Sequence, residues 1–256
     1  MPFPRLDVRP QLWCAACGYV FPILVLLALF GTGVLPAQSP NDSAEAIAAW
    51  YQDDHTRKLL GFAGGAVGLG LLGPLTIAIT IQMFRIEGRS PAMALLNLAA
   101  GTFTWVLTIV PMIILCATAF RPDRNPEITQ FGHDLGWIMF FMGFAPFAAQ
   151  DVAIAVAILR DRSRRPVFPR WLAWFNLWVG FLFAPAIVIP FFHVGPFTYR
   201  GVLAFWIPTL IYGLWAIVMA FYTQRAIRDQ EREENGDPAT PTAPAAGDRT
   251  AEPVAA

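Results

Sequence analysis

Six long apolar stretches, each containing a proline, occupy most of the chain between Leu12 and Tyr222. A helix needs about 20 apolar residues to cross a hydrocarbon core of about 30 Å, and each stretch approaches or exceeds that length. The sequence therefore predicts an all-α, polytopic membrane bundle of six transmembrane helices. Each helix is expected to be kinked, because proline removes one backbone hydrogen bond. The predicted spans are 12–35, 59–83, 92–120, 135–159, 171–193 and 202–222.

The charge content supports a lipid environment. Only 14% of the residues are charged, against about 25% in soluble domains. For the first stretch a cleaved signal peptide is an alternative, since Arg5 and Arg9 precede it and Leu35-Pro36-Ala37 resembles a weak cleavage site. The length of the stretch and the internal Pro22 favour a retained span.

The basic residues fall mainly on one side of this topology. By the positive-inside rule, the side with more arginines faces the cytoplasm, which places both termini there. The loop from Arg160 to Arg170 is dense enough to attract anionic lipid, although topology alone explains it. It does not interleave aromatic and basic residues, so we expect no nucleic-acid partner. The richer side carries Arg5, Arg9, Arg85, Arg89, Arg160, Arg162, Arg164, Arg165, Arg170, Arg225, Arg228, Arg232 and Arg249; the other carries Arg57, Lys58, Arg121, Arg124 and Arg200.

The chain divides into a transmembrane domain, 1–228, and a tail, 229–256. The tail is acidic and then rich in Pro, Ala and Thr, so it is expected to be disordered and cytoplasmic. The longest outer loop, 36–58, carries Ile47, Ala48 and Tyr51 at helical spacing after Asp42. This pattern predicts a short amphipathic surface helix with Asp42 as its cap.

A shift of 79 residues aligns Asn97 and Gly101 with Asn176 and Gly180. This favours a parallel internal repeat of the third and fifth helices. Shared membrane composition is an alternative explanation.

Five polar residues are predicted to lie inside the spans. Asp151 lies nine residues from Arg160, which is about 13 Å into the core at 1.5 Å per residue. Gln150 adjoins it, and Asn97, Asn176 and Gln82 fall in the cytoplasmic halves of three other helices. Together they predict a polar, ligand-binding pocket in the cytoplasmic half of the bundle. Hydrogen bonding between helices is the alternative role.

No catalytic, metal or cofactor motif accompanies these residues. Cys14 and Cys17 form a lone CxxC with no second pair, and a zinc site needs about four ligands. The three histidines fall at the outer ends of helices. The sequence therefore predicts no catalytic residue, metal or cofactor and favours a non-enzyme.

The strings 120–127 (FRPDRNPE), 167–171 (VFPRW) and 193–197 (HVGPF) resemble those of a family of uncharacterised bacterial six-helix integral membrane proteins. The resemblance covers helices 2 to 6 and implies a multi-pass protein of the bacterial plasma membrane. It brings no assigned activity.

Three functions remain open at this stage. The first is binding or transport of a small lipophilic or amphipathic molecule. The second is a membrane-embedded enzyme that modifies a lipid or isoprenoid and uses Asp151 as general acid. The third is a non-catalytic accessory subunit with a membrane-protein partner. In each case the lipid bilayer is the surrounding solvent.

Overall fold

A computed structural model describes residues 7–235, and within that range the protein contains helices and no strand. The all-α prediction is confirmed. The helices are α1 (Arg9–Gly31), α2 (Ala44–Gln52), α3 (His55–Gly70), α4 (Leu72–Glu87), α5 (Ala92–Ala119), α6 (Pro126–Met142), α7 (Ala145–Arg160), α8 (Trp171–Leu182) and α9 (Ile207–Asn235), with a 3-10 segment (Ala184–Phe191) after α8 and a π-helical turn (Val202–Trp206) before α9.

Within the described residues, six helical segments are long and apolar enough to cross a membrane, as predicted. Large apolar side chains such as Leu27, Phe103 and Phe181 are exposed on the outside of the bundle, which suits a lipid-facing surface. The six spans are Arg9–Gly31, His55–Glu87, Ala92–Ala119, Pro126–Arg160, Trp171–Phe191 and Val202–Asn235.

Most span boundaries fall within four residues of the sequence prediction, and two differ by more. The fourth span begins at Pro126 rather than near 135, because the Asn125 side chain accepts a hydrogen bond from the Glu127 amide (2.9 Å) and caps the helix. The last helix continues to Asn235, so residues 229–235 are helical rather than part of a disordered tail. Residues 236–256 of the predicted tail lie outside the described part of the chain.

Four spans are interrupted close to a proline. Pro74 and Pro146 each lack the N–H that would bond four residues back, to Gly70 and Met142, the last residues of α3 and α6. The fifth span changes to a 3-10 segment near Pro185, and the π-helical turn ends just before Pro208. Pro22 and Pro111 instead lie inside the continuous helices α1 and α5.

The packing order positions the interior residues. Helix α1 packs on α3, α4 and α9, and α7 lies between α5 and α8. The short helix α2 is present as predicted and packs on α6, with Ile47, Ala48 and Tyr51 buried. Its cap is Ser43 and not Asp42: the Ser43 hydroxyl accepts from the Ala46 amide (3.2 Å).

Candidate functional site

Helix α7 directs two adjacent polar side chains at two different helices. Asp151 is fully buried and Gln150 is 2% exposed. Gln150 lies against Gly101 of α5, where a Cβ atom would come within 2.8 Å of the Gln150 Nε2 atom. Asp151 lies against Gly180 of α8, where a Cβ atom would be 3.3 Å from Asp151 Oδ2. The two glycines thus make room for the two polar groups.

Beside Gln150, further polar contacts join α5 to α4. Asn97, one turn before Gly101, is fully buried and donates from Nδ2 to the Thr80 hydroxyl (2.8 Å). Thr80 in turn donates to the Thr76 carbonyl (2.8 Å). Asn97 Oδ1 and Gln150 Nε2 make no hydrogen bond within residues 7–235.

Beside Asp151, further polar contacts join α8 to α9. Asn176, one turn before Gly180, donates to the Leu172 carbonyl (2.7 Å) and accepts from the Trp215 indole N–H (2.9 Å). The same indole lies close to Asp151. Neither carboxylate oxygen of Asp151 makes a hydrogen bond to another described residue. We call the combined set, Asn97, Gly101, Gln150, Asp151, Asn176 and Gly180, the polar seam.

The seam places the residues of the predicted repeat in matching positions. Asn97 with Gly101, and Asn176 with Gly180, each present an amide and a glycine one turn apart, on two helices that pack against α7. This arrangement is compatible with the internal repeat, which stays a prediction.

Gln82 belongs to a separate network. It is fully buried, donates to Gln11 (3.0 Å) and Gln230 (3.3 Å), and accepts from Arg85 (2.7 Å). The five residues predicted to share one pocket therefore divide between the seam and this arginine network.

An apolar cavity of about 300 Å³ lies beside the seam, and none of the five predicted residues lines it. The interruptions of the fourth and fifth spans, at Gly143, Phe144 and Phe183, line this cavity, as does Pro208 at the start of α9. The remaining lining comes from Phe21, Pro22, Val25, Leu26, Leu69, Thr104, Leu107, Thr108, Phe140, Phe141, Phe147, Thr209, Leu210, Tyr212, Gly213, Leu214 and Ile217.

The cavity contains few polar groups. The hydroxyls of Thr104 and Thr108 donate to the carbonyls of Ala100 and Trp105 (2.9 Å each), which leaves their oxygens able to accept. The buried Thr209 hydroxyl makes no hydrogen bond among the described residues. An apolar molecule with one hydrogen-bonding group matches this lining.

Phe147 lines the cavity and lies one helical turn from Asp151 on α7. It precedes Asp151 by four residues on α7, which is about 6 Å along the axis. Its ring packs edge-on against Phe183 (4.9 Å), Tyr212 (4.8 Å) and Trp215 (5.0 Å). Phe147, Phe183 and Tyr212 line the cavity, whereas Trp215 lies close to Asp151. We call this aromatic cluster the partition.

A second buried polar cluster, at the opposite end from the arginine loops, is not among the predicted site residues. The Tyr51 hydroxyl lies 3.0 Å from His133 Nδ1, and the Tyr199 hydroxyl donates to Asp134 (2.8 Å). Burial raises the pKa of both tyrosines well above the ordinary value, so both hydroxyls stay protonated. In the sequence, the feature that could have predicted this cluster is the adjacent pair His133 and Asp134 in the fourth span. Its contacts fasten α2 and the segment 192–201 onto α6.

The described residues contain no group of three or more His, Cys, Asp and Glu placed to hold a metal ion. No family model, curated protein or solved structure matches this chain. The six apolar spans are compatible with a multi-pass integral membrane protein. The family resemblance stays a prediction.

Proposed function

We propose that this protein binds a small lipophilic or amphipathic molecule inside the membrane, in the apolar cavity between α1, α5, α9 and the interruption of the fourth span. The observation that carries the proposal is the position of the helix interruptions. Gly143, Phe144, Phe183 and Pro208 lie at or next to the interruptions of three spans, and all four line one cavity.

Interrupted helices inside a bilayer support a ligand site for a physical reason. Free backbone groups are costly in hydrocarbon, and they are tolerated where protein or a lined cavity surrounds them. Transporter sites commonly form at such discontinuous helices near the midplane. The volume of about 300 Å³ is at the lower end of the range for small-molecule pockets.

The polar seam has a secondary part in this proposal. A charged residue within a span is costly and is commonly functional. The carboxyl group of Asp151, with Gln150 beside it, would receive the polar end of an amphipathic ligand if the rings around Phe147 moved apart. We further propose that the arginine-rich end faces the cytoplasm.

The enzyme alternative has less support. A general acid needs a second polar group within hydrogen-bond reach of the reacting atoms. Asp151 makes no such contact within the described residues and lines neither this cavity nor the one described below. For the accessory-subunit alternative, a partner that copurifies at fixed stoichiometry would be the supporting result.

The test uses a photoreactive probe, octanol bearing a diazirine, added to the full-length protein in nanodiscs. After illumination, mass spectrometry locates the labelled peptides. We expect labelling of cavity residues on α5 and α9 that saturates with probe concentration, in excess of labelling on lipid-facing residues such as Phe181.

The matched variants are Gly213→Leu and Gly70→Leu. Gly213 lines the cavity, and a Cβ atom there meets only Pro22 at 3.6 Å, so we expect a leucine at this position to occupy part of the cavity. Gly70 has open space around it and lies outside the cavity. Loss of saturable labelling in Gly213→Leu alone supports the proposal. Saturable labelling that persists in Gly213→Leu, or that is absent from the native protein, contradicts it.

A further inference from the structure

A second cavity, of about 640 Å³, lies at the arginine-rich end of the bundle, where the loop between α7 and α8 meets α4 and α9. It is lined by five arginines (Arg85, Arg160, Arg162, Arg164 and Arg165), together with the carboxylates of Asp161 and Glu233. The lining therefore has a formal excess of three positive charges.

The carboxylate of Asp161 is used to fold the loop and does not neutralise the arginines. Asp161 is 7% exposed; its Oδ1 accepts from the Ser163 amide and its Oδ2 from the Val167 amide, both at 2.9 Å. The Ser163 hydroxyl donates to the Arg165 carbonyl (2.8 Å) and closes the turn. The arginines are thus carried on a loop with a defined backbone.

Arg85 is held in place from a different helix. Its guanidinium donates to Gln82 (2.7 Å), to the Ala226 carbonyl (3.1 Å) and to Glu233 (3.2 Å). Gln82, predicted as a ligand contact, acts here as a positioning residue for Arg85. Glu233 lies in the helical extension of α9 beyond residue 228.

The other four arginines of the cavity are exposed and have no carboxylate within 4.0 Å in the described part of the chain. Like charges without a counter-ion repel one another, so this group of arginines costs free energy unless an anion binds among them. A phosphate group, with several acceptor oxygens, matches the planar forks of several guanidiniums.

We propose that this cavity binds a phosphate-bearing anion, either an anionic phospholipid headgroup of the adjacent leaflet or a soluble phosphate monoester. The proposal is independent of the lipophilic-ligand cavity, which lies in a different part of the bundle. The proposal differs from a general attraction of basic loops to acidic membranes. Binding in the cavity requires particular arginines and not only positive charge.

The test compares two triple variants of the full-length protein. The first, Arg162→Gln, Arg164→Gln and Arg165→Gln, removes three cavity arginines. The matched control, Arg89→Gln, Arg225→Gln and Arg228→Gln, removes the same charge from exposed arginines outside the cavity. All six side chains are exposed, so both variants are expected to fold, and thermal unfolding in detergent checks this.

The experiment has two arms. In the first, native mass spectrometry counts phosphatidic acid or phosphatidylglycerol retained from mixed micelles, with phosphatidylcholine as the uncharged comparison. In the second, calorimetry measures binding of inorganic phosphate and glycerol phosphate to protein in a non-ionic detergent. Because basic side chains near an anionic surface each add to the attraction, we expect at least about tenfold weaker binding in the cavity variant and a small change in the control.

Retention of anionic lipid without binding of soluble phosphate assigns the site to a headgroup, and the reverse result assigns it to a soluble phosphate. A third variant, Arg162→Lys, Arg164→Lys and Arg165→Lys, keeps the charge but loses the planar forks, and we expect it to bind more weakly than the native protein. Equal losses in the cavity and control variants, or no anion binding in either arm, would overturn the proposal.

Discussion

The polar seam and the apolar cavity lie one helical turn apart on α7, and they are built in opposite ways. At the seam, polar side chains meet glycines, and the helices pack tightly around Gln150 and Asp151. At the cavity, apolar side chains surround a space left by interruptions in three spans. Within these two regions, the buried polar residues mark close helix contacts, whereas the open space adjoins interruptions in the helices.

The largest effect is expected from filling the seam. Gly101→Leu should prevent normal packing, because a Cβ atom at this position already meets Thr76 Cγ2 at 2.5 Å and Gln150 Nε2 at 2.8 Å. Overpacking of this kind costs about 1–3 kcal/mol or more. We expect a clear fall in the thermal unfolding midpoint of the purified protein, followed by tryptophan fluorescence.

Gly70→Leu is the control for this change, since a Cβ atom there meets nothing within 4 Å. It should leave the unfolding midpoint nearly unchanged. Equal midpoints for the two variants would show that α4, α5 and α7 do not pack closely at Gly101, and the distinction between seam and cavity would be lost.

A smaller effect is expected from opening the partition between the two regions. Phe147→Ala removes a ring that lines the cavity and packs on Trp215, and we expect this to extend the cavity toward the carboxyl group of Asp151. Dicyclohexylcarbodiimide, a lipophilic reagent for carboxyl groups, measures the change. Because Asp151 is fully buried, we expect a trace of labelling in the native protein and prominent labelling in the variant.

Phe181→Ala provides the matched control for Phe147→Ala, because Phe181 is 72% exposed on the outside of the bundle. Asp151→Asn removes the reactive group and identifies the labelled site. If Phe147→Ala unfolds, Phe147→Leu is the milder substitution. Strong labelling of Asp151 in the native protein would mean that the acid already opens to lipid or to the cavity.

The sequence was enough to predict where the spans lie. It was not enough to predict which residues surround each polar side chain. Apolar length identified the six candidate spans, and the rise per residue predicted a depth for Asp151. Depth along an axis does not say which helix a side chain faces. Gln150 and Asp151 are adjacent in sequence and differ by about 100° around α7, so one meets α5 and the other α8.

The cavity was missed for a related reason. Its lining consists mainly of phenylalanine, leucine and threonine, which are ordinary residues of a transmembrane helix. The available signal was the pair Gly143 and Pro146, which ends one helix and begins another within the fourth span. Proline in the sequence predicted kinks, but which prolines interrupt a helix depends on the tertiary contacts around them.

The smallest expected effect is the difference in stability cost between removing one amide of the seam and removing the other. Asn176→Ala leaves the buried Trp215 indole N–H without its acceptor, and an unpaired buried donor costs about 1–3 kcal/mol. Asn97→Ala removes only a bond to Thr80, whose hydroxyl keeps its own bond to Thr76, so a cost of about 0.6 kcal/mol, typical of interhelical hydrogen bonds, is expected. Thermal or denaturant unfolding of both variants in the same detergent measures the difference.

In a Trp215→Phe background the larger cost should shrink toward the smaller one, because the donor is gone. An equal cost for both amides, or a difference that persists without the indole, would mean that the α8–α9 half of the seam is no better bonded than the α4–α5 half.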